Sequence, residues 1–158
     1  MLADVSDTVK NASGTPPPHL VIEDADGTLQ FHGPLFTSED DKDRAPERMR
    51  GLIRHLRPLR LAVVMEAFSI DRPTDEDRRR PLRDNPRAVH IVNVWFFKRG
   101  SGESEDWSAP VVIGKDDRLS LGEWKALDYA ENVKNGFLWD PVAETMAERP
   151  DGPAPRSH

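Results

Sequence analysis

Two long stretches that are apolar on both faces restrict this chain more than any other feature in it. Residues 59–69 place Leu61, Val63 and Met65 on one side of an extended backbone and Ala62, Val64 and Phe68 on the other. Val89–Lys98 repeats the pattern with Ile91, Val92, Val94, Trp95, Phe96 and Phe97, interrupted only by His90 and Asn93. Successive side chains of a strand point to opposite faces. A strand apolar on both must therefore be covered on both, so these two are expected at the centre of a sheet.

The flanking segments supply the cover. Residues 20–23 and 28–31 are short apolar runs on either side of Asp24-Ala25-Asp26-Gly27, which predicts a β-hairpin. Ser38 with Asp41 resembles a capping box, and Pro46 suits the first turn of a helix. Met49, Leu52, Ile53 and Leu56 fall on one helical face, and Pro58 stops that helix near Arg57. Residues 107–113 predict a third strand, antiparallel to the second across 99–103, and Leu119 and Leu121 a short edge strand. Residues 123–135 read as a helix with Trp124 and Leu127 inward and Gly136 as its cap. Asp140 as cap and Pro141 in the first turn predict a last helix. The expected class is α+β, a mostly antiparallel sheet with helices packed on it, in the order β-β-α-β-β-β-(β)-α-α.

The 158 residues suit one domain. Residues 1–18 and 149–158 hold few large apolar groups and several prolines, and are expected as flexible tails around a domain of 19–148. There is no cysteine, which excludes disulfides, thiol catalysis and cysteine-ligated metals. The start of the chain lacks a basic, apolar signal segment, and no run approaches a membrane span, so the expected setting is soluble and cytoplasmic. A net charge of −6 disfavours general binding to nucleic acid or anionic membranes.

Three features carry chemistry. The first is Val21-Ile22-Glu23-Asp24-Ala25-Asp26-Gly27-Thr28-Leu29. It resembles the first motif of the haloacid dehalogenase-like phosphatases, strand then Asp-x-Asp-Gly-Thr-Leu. That resemblance implies Asp24 as nucleophile, Asp26 as general acid and base, and Mg²⁺ as cofactor, with Ser69 and Asp116-Asp117 standing where later motifs fall. The family places these residues on a long buried parallel strand, whereas here three apolar residues run into Glu23, and Pro73, Pro81 and Pro86 interrupt the helices that should follow. A hairpin turn explains the same residues, so the leading expectation is no enzyme and no cofactor, with the phosphatase as the alternative.

The second feature is the loop of residues 71–88 between the two central strands. It carries Arg72, Arg78, Arg79, Arg80, Arg83 and Arg87 against Asp71, Asp75, Glu76, Asp77 and Asp84. Thr74-Asp75-Glu76-Asp77 is suited to cap a single helical turn containing Arg78 to Arg80. Arginine grips carboxylates and phosphates through paired N–H groups. A loop this long in a small domain is commonly functional or disordered. Arg78, Arg79, Arg80, Arg83 and Arg87, with Glu66, are the candidate contact residues for a protein partner or small anion, an oligonucleotide is the further alternative, and a self-neutralising solvated loop explains the same nearly balanced charges.

The third is Glu66, late in a buried strand, where a carboxylate needs a partner. Arg72, Arg83 or Arg87 is expected to bond it and pin the loop to the sheet. His90 is read as a sheet residue, since His19, His32, His55 and His158 show no ligand spacing with it, and no metal site is expected. Glu66-Ala67-Phe68, the loop with Arg80-Pro81, and Asp84-Asn85-Pro86-Arg87 leading into Val89 together resemble small uncharacterised proteins of bacterial and phage genomes. That likeness implies a phage or mobile-element connection and transfers no function.

Overall fold

The structure, a computed structural model, describes residues 2–11, 17–101, 104–127 and 138–148, with main chain alone for 8–11. It is α+β, as the patterning predicts. Strands β1 (His19–Glu23), β2 (Leu29–His32), β3 (Arg60–Ser69), β4 (Val89–Lys98), β5 (Ser104–Ile113) and β6 (Leu119–Leu121) form one sheet in the order β2-β1-β3-β4-β5-β6. Strand β7 (Lys125–Leu127) continues along β5 beyond β6. Every ladder among the described residues is antiparallel. β3 and β4 lie at the centre and pair along their whole length, from Arg60 opposite Lys98 to Ser69 opposite Val89.

Alternation divides the sheet into two apolar faces. Leu20, Ile22, Leu61, Val63 and Phe97 pack with Met49 and Ile53 of α3 (Ala45–Leu56) and with Val142 and Met146 of α5 (Trp139–Ala147). Each fully buried side chain of this size contributes about 1.5–3 kcal/mol relative to exposure. Leu52 and Leu56 complete the predicted α3 stripe at the margin of that cluster. Both helix-start signals ahead of α3 are used. Ser38 caps a short α2 (Glu39–Lys42) by accepting from the Asp41 amide, and Pro46 lies in the first turn of α3. Arg57 closes α3 in the left-handed conformation, one residue before Pro58.

The second face differs from expectation. Residues 1–18 are expected as a tail, but Leu2–Asn11 form helix α1, and Val5 is buried against Val21, Ala62, Val64, Val92 and Val94. Trp124 packs at the margin of this cluster, and its Nε1–H donates to Ser6 Oγ at 3.1 Å. The helix expected over 123–135 is not what Lys125–Leu127 form. These residues pair with Asp106, Trp107 and Ser108 as β7, because the free edge of β5 satisfies their backbone groups. The remainder of that helix, its Gly136 cap and the tail at 149–158 lie outside the described residues. In α5 the cap is Leu138, without a side-chain hydrogen bond, and Asp140 lies in the first turn instead.

Gly122, between β6 and β7, lies close against β5. Its amide donates to Pro110 O at 2.8 Å, and a Cβ there would come within 2.7 Å of Pro110 Cγ. Gly122→Ala is expected to push the strand off β5 and lower stability by about 1–2 kcal/mol, the usual cost of overpacking. Thermal unfolding checks this, and an unchanged midpoint would mean that the edge has slack.

Candidate functional site

The 71–88 loop is built on two buried side chains. Its residues are exposed except Asp77 and Asn85, which are buried, and Ala88, which is half-buried. Thr74 and Asp77 form a full capping box on α4 (Asp75–Arg79). Thr74 Oγ1 accepts from the Asp77 amide, and Asp77 Oδ2 accepts from the Thr74 amide at 2.8 Å. Asn85 Nδ2–H donates to Asp77 Oδ1 at 2.9 Å, and Asn85 Oδ1 accepts from the Arg87 amide at 2.9 Å. The Arg87 guanidinium completes the set on Asp77 Oδ2. These bonds hold the Asp77 carboxyl down at about 2. The Thr74 amide contributes most and Asn85 next, while burial opposes them. A single 3₁₀ turn, Leu82–Asp84, joins the helix to Asn85. One carboxylate thus ties both arms of the loop together.

That arrangement sorts the arginines. Arg78 pairs with Asp75 at 3.0 Å, Arg80 with Glu76 at 3.2 Å and Arg87 with Asp77. Arg79 and Arg83 form no ion pair among the described residues. Arg83 instead lies over the Phe68 ring, 5.9 Å from its centroid. Leu82 between them is 41% exposed, and Val89 at the loop's exit is 52% exposed.

Beneath the loop, Glu66 Oε2 lies 3.5 Å from His90 Nε2. The two sit on one face of β3 and β4, on the diagonal between the Glu66–Val92 and Phe68–His90 pairs, two rungs apart along the ladder. At that distance the contact is an ion pair when His90 is protonated and otherwise weak. His90 also stacks on Phe68, with ring centroids 4.8 Å apart and planes 11° from parallel. Of the arginines expected beside Glu66, Arg87 is held by Asp77, and Arg83 docks on the sheet through Phe68. Asn93 faces the other side of the sheet, across from Met65 and Ser108.

Asp24 and Asp26 occupy the turn between β1 and β2. Asp24 Oδ1 accepts from the Asp26 and Thr28 amides at 2.9 and 3.0 Å, and Gly27 takes φ 80°. The carboxylate shapes the turn, as Asx side chains do. The strand leading to it runs antiparallel to both neighbours, not parallel as the phosphatase motif requires. Among the described residues no group of three His, Asp or Glu side chains is placed to hold a metal ion. No described helix is long and apolar enough to cross a membrane. The tryptophans serve packing. Trp139 lies against Phe97 and donates to Ser104 Oγ, Trp107 donates to Glu105, and Trp95 borders the first core.

Asp77 and Asn85, the residues that organise the loop, are not among the contact residues the sequence singles out. The capping signal Thr74-x-x-Asp77 is visible in the sequence, but the burial of Asp77 follows from Asn85, eight residues on. Comparison with protein-family models, curated proteins and solved structures finds no match to this chain.

Proposed function

We propose that the chain is a binding protein without catalytic activity, and that the 71–88 loop is the surface by which it holds an acidic protein partner. The observation that carries this reading is the contrast inside the loop. Its frame is fixed by a buried carboxylate, while Arg79, Leu82 and Arg83 stand outward with no ion pair among the described residues. Preorganised loops lose little entropy on binding. Arginine flanking an exposed aliphatic side chain matches an acidic segment that carries an apolar anchor, with charge setting the approach. The sheet pins the loop at its base through Phe68.

A displayed library of acidic peptides tests this on the full chain. Retained peptides are expected to be Asp- and Glu-rich around one large apolar residue, and to release as salt rises. Arg79→Glu with Arg83→Glu is expected to lower affinity by about a hundredfold or more, since it replaces attraction by repulsion at two positions, while stability falls by no more than about 1 kcal/mol, the value of an exposed contact such as that of Arg83 with Phe68. Retention that survives the double reversal would place the contact elsewhere.

A further inference from the structure

Strand β2 ends the sheet, and its outer side pairs with no described strand. The turn before it fixes which backbone groups face outward. The Asp24 amide donates to Thr28 O at 3.1 Å, so Asp24 and Thr28 form a hydrogen-bonded pair of the hairpin. Such pairs alternate along an antiparallel ladder. Gln30 and His32 therefore bond across to Ile22 and Leu20, their partners in register. Leu29 and Phe31 turn their N–H and C=O groups to the open edge. β1 shows the same alternation. Pro18 O accepts from the Leu35 amide on the β2 side, and Glu23 O accepts from the Leu59 amide on the β3 side.

No described segment shields that edge. Gln30 is exposed, and Phe31 is 51% exposed. After His32 the chain turns inward, because Leu35 is buried and its amide is held at 2.8 Å by Pro18 O. Residues 28–35 contain no Asp, Glu, Lys or Arg. Exposed edge strands are commonly guarded by a charge or a proline within them, and here Pro34 only follows the strand. The shortness of β2 confines any pairing to a few residues.

We propose that β2 pairs antiparallel with β2 of a second copy of this chain, with Gln30 on the two-fold axis. In that register Leu29 of each copy lies opposite Phe31 of the other. Both residues point their N–H and C=O groups outward, so the two pairs make four backbone hydrogen bonds. Leu29 and Phe31 share the face of the sheet that carries Val21, and the pairing covers the exposed Phe31 ring with Leu29 of the other copy. Gln30, on the other face, meets its symmetry mate. A carboxamide both donates and accepts, so two of them bond to each other. No like charges are brought together. A second copy satisfies the edge, the ring and the carboxamide at once, whereas an unrelated strand satisfies only the edge. The two-fold uses up both edges, so assembly closes at the dimer. β2 and β3 run in the same direction, both antiparallel to β1. The two 71–88 loops therefore stand at opposite ends of the joined sheet, and both stay open.

Sedimentation equilibrium of the full chain tests this. So short an edge makes an interface at the small end of the specific range, and a dissociation constant of about 10–100 µM is expected. Phe31→Lys should weaken the dimer at least about tenfold. Phe31→Pro should do the same by deleting an outward donor, while the β1–β2 ladder, which does not use that N–H, persists. In a chain without cysteine, Gln30→Cys sets two thiols across the axis in a non-hydrogen-bonded pair, close enough for a disulfide. Mild oxidation should give a covalent dimer for Gln30→Cys and not for Ala25→Cys, whose two copies lie at opposite ends of the paired strands. A native chain that is monomeric at ten times the expected dissociation constant overturns the proposal, whether or not the edge accepts an unrelated extended peptide. A dimer that Phe31→Lys leaves unchanged also overturns it, as does Gln30→Cys that cross-links no faster than Ala25→Cys.

Discussion

Replacing Asp77 by alanine is expected to release the 71–88 loop to proteases and to raise its amide exchange by at least about tenfold, while β3 and β4 keep their protection. The substitution removes the acceptor for the Thr74 amide, for Asn85 Nδ2–H and for Arg87 at one stroke. It also leaves the Asn85 Nδ2–H buried without an acceptor, which costs more than the bond itself contributes. Asp77→Asn keeps an acceptor for Thr74 and loses the charge, so its effect should be smaller. If the proposed function holds, peptide binding falls with loop order in both variants. A loop that stays protected in Asp77→Ala would show that Phe68 and Arg83 alone suffice to order it.

The same group sets a pH dependence. The Asp77 carboxyl is held at about 2 in the folded chain, below its ordinary value of 3.8. A depressed carboxyl contributes stability that is fully present above the unfolded value and is lost as pH falls through the folded one. Loop protection should therefore persist at pH 5, decline below about pH 4 and be lost near pH 2. Asp77→Asn should flatten that profile.

The central strands are legible in the sequence because burial on two faces leaves no room for polar residues. α3 is legible because four apolar positions repeat at helical spacing before a proline. α1 is not, since Leu2 and Val5 become a stripe only when Val21, Val64 and Val94 are placed beneath them. β7 is misread because the spacing of Trp124 and Leu127 fits one turn of helix as well as a strand, and the open edge of β5 decides between them. The arginines show their charge in the sequence but not their pairing. Asp75 with Arg78 and Glu76 with Arg80 follow from the helix once it is recognised, whereas Arg60 opposite Lys98 needs the strand register.

Val5→Asp is expected to undock α1 and lower stability by about 2–4 kcal/mol, or about 10 °C in the unfolding midpoint. Val5 is fully buried, and its neighbours Val21, Ala62, Val64, Val92 and Val94 offer a carboxylate no donor. An unpaired charge does not stay in such a place, so the helix leaves the sheet rather than bury it. The cost is then bounded by what α1 contributes. That includes the burial of Val5, the shielding of the sheet face, and the bond from Trp124 to Ser6. Two controls separate these parts. Ser6→Ala should cost about 1 kcal/mol, the net value of one hydrogen bond, and Val5→Leu should cost about 1–3 kcal/mol through overpacking alone. Loss of α1 also bares valines on both central strands, so Val5→Asp should bind a hydrophobic dye that the native chain does not. Deleting residues 1–11 should reproduce both effects. An unchanged midpoint in Val5→Asp would mean that the second face of the sheet is covered by something other than α1.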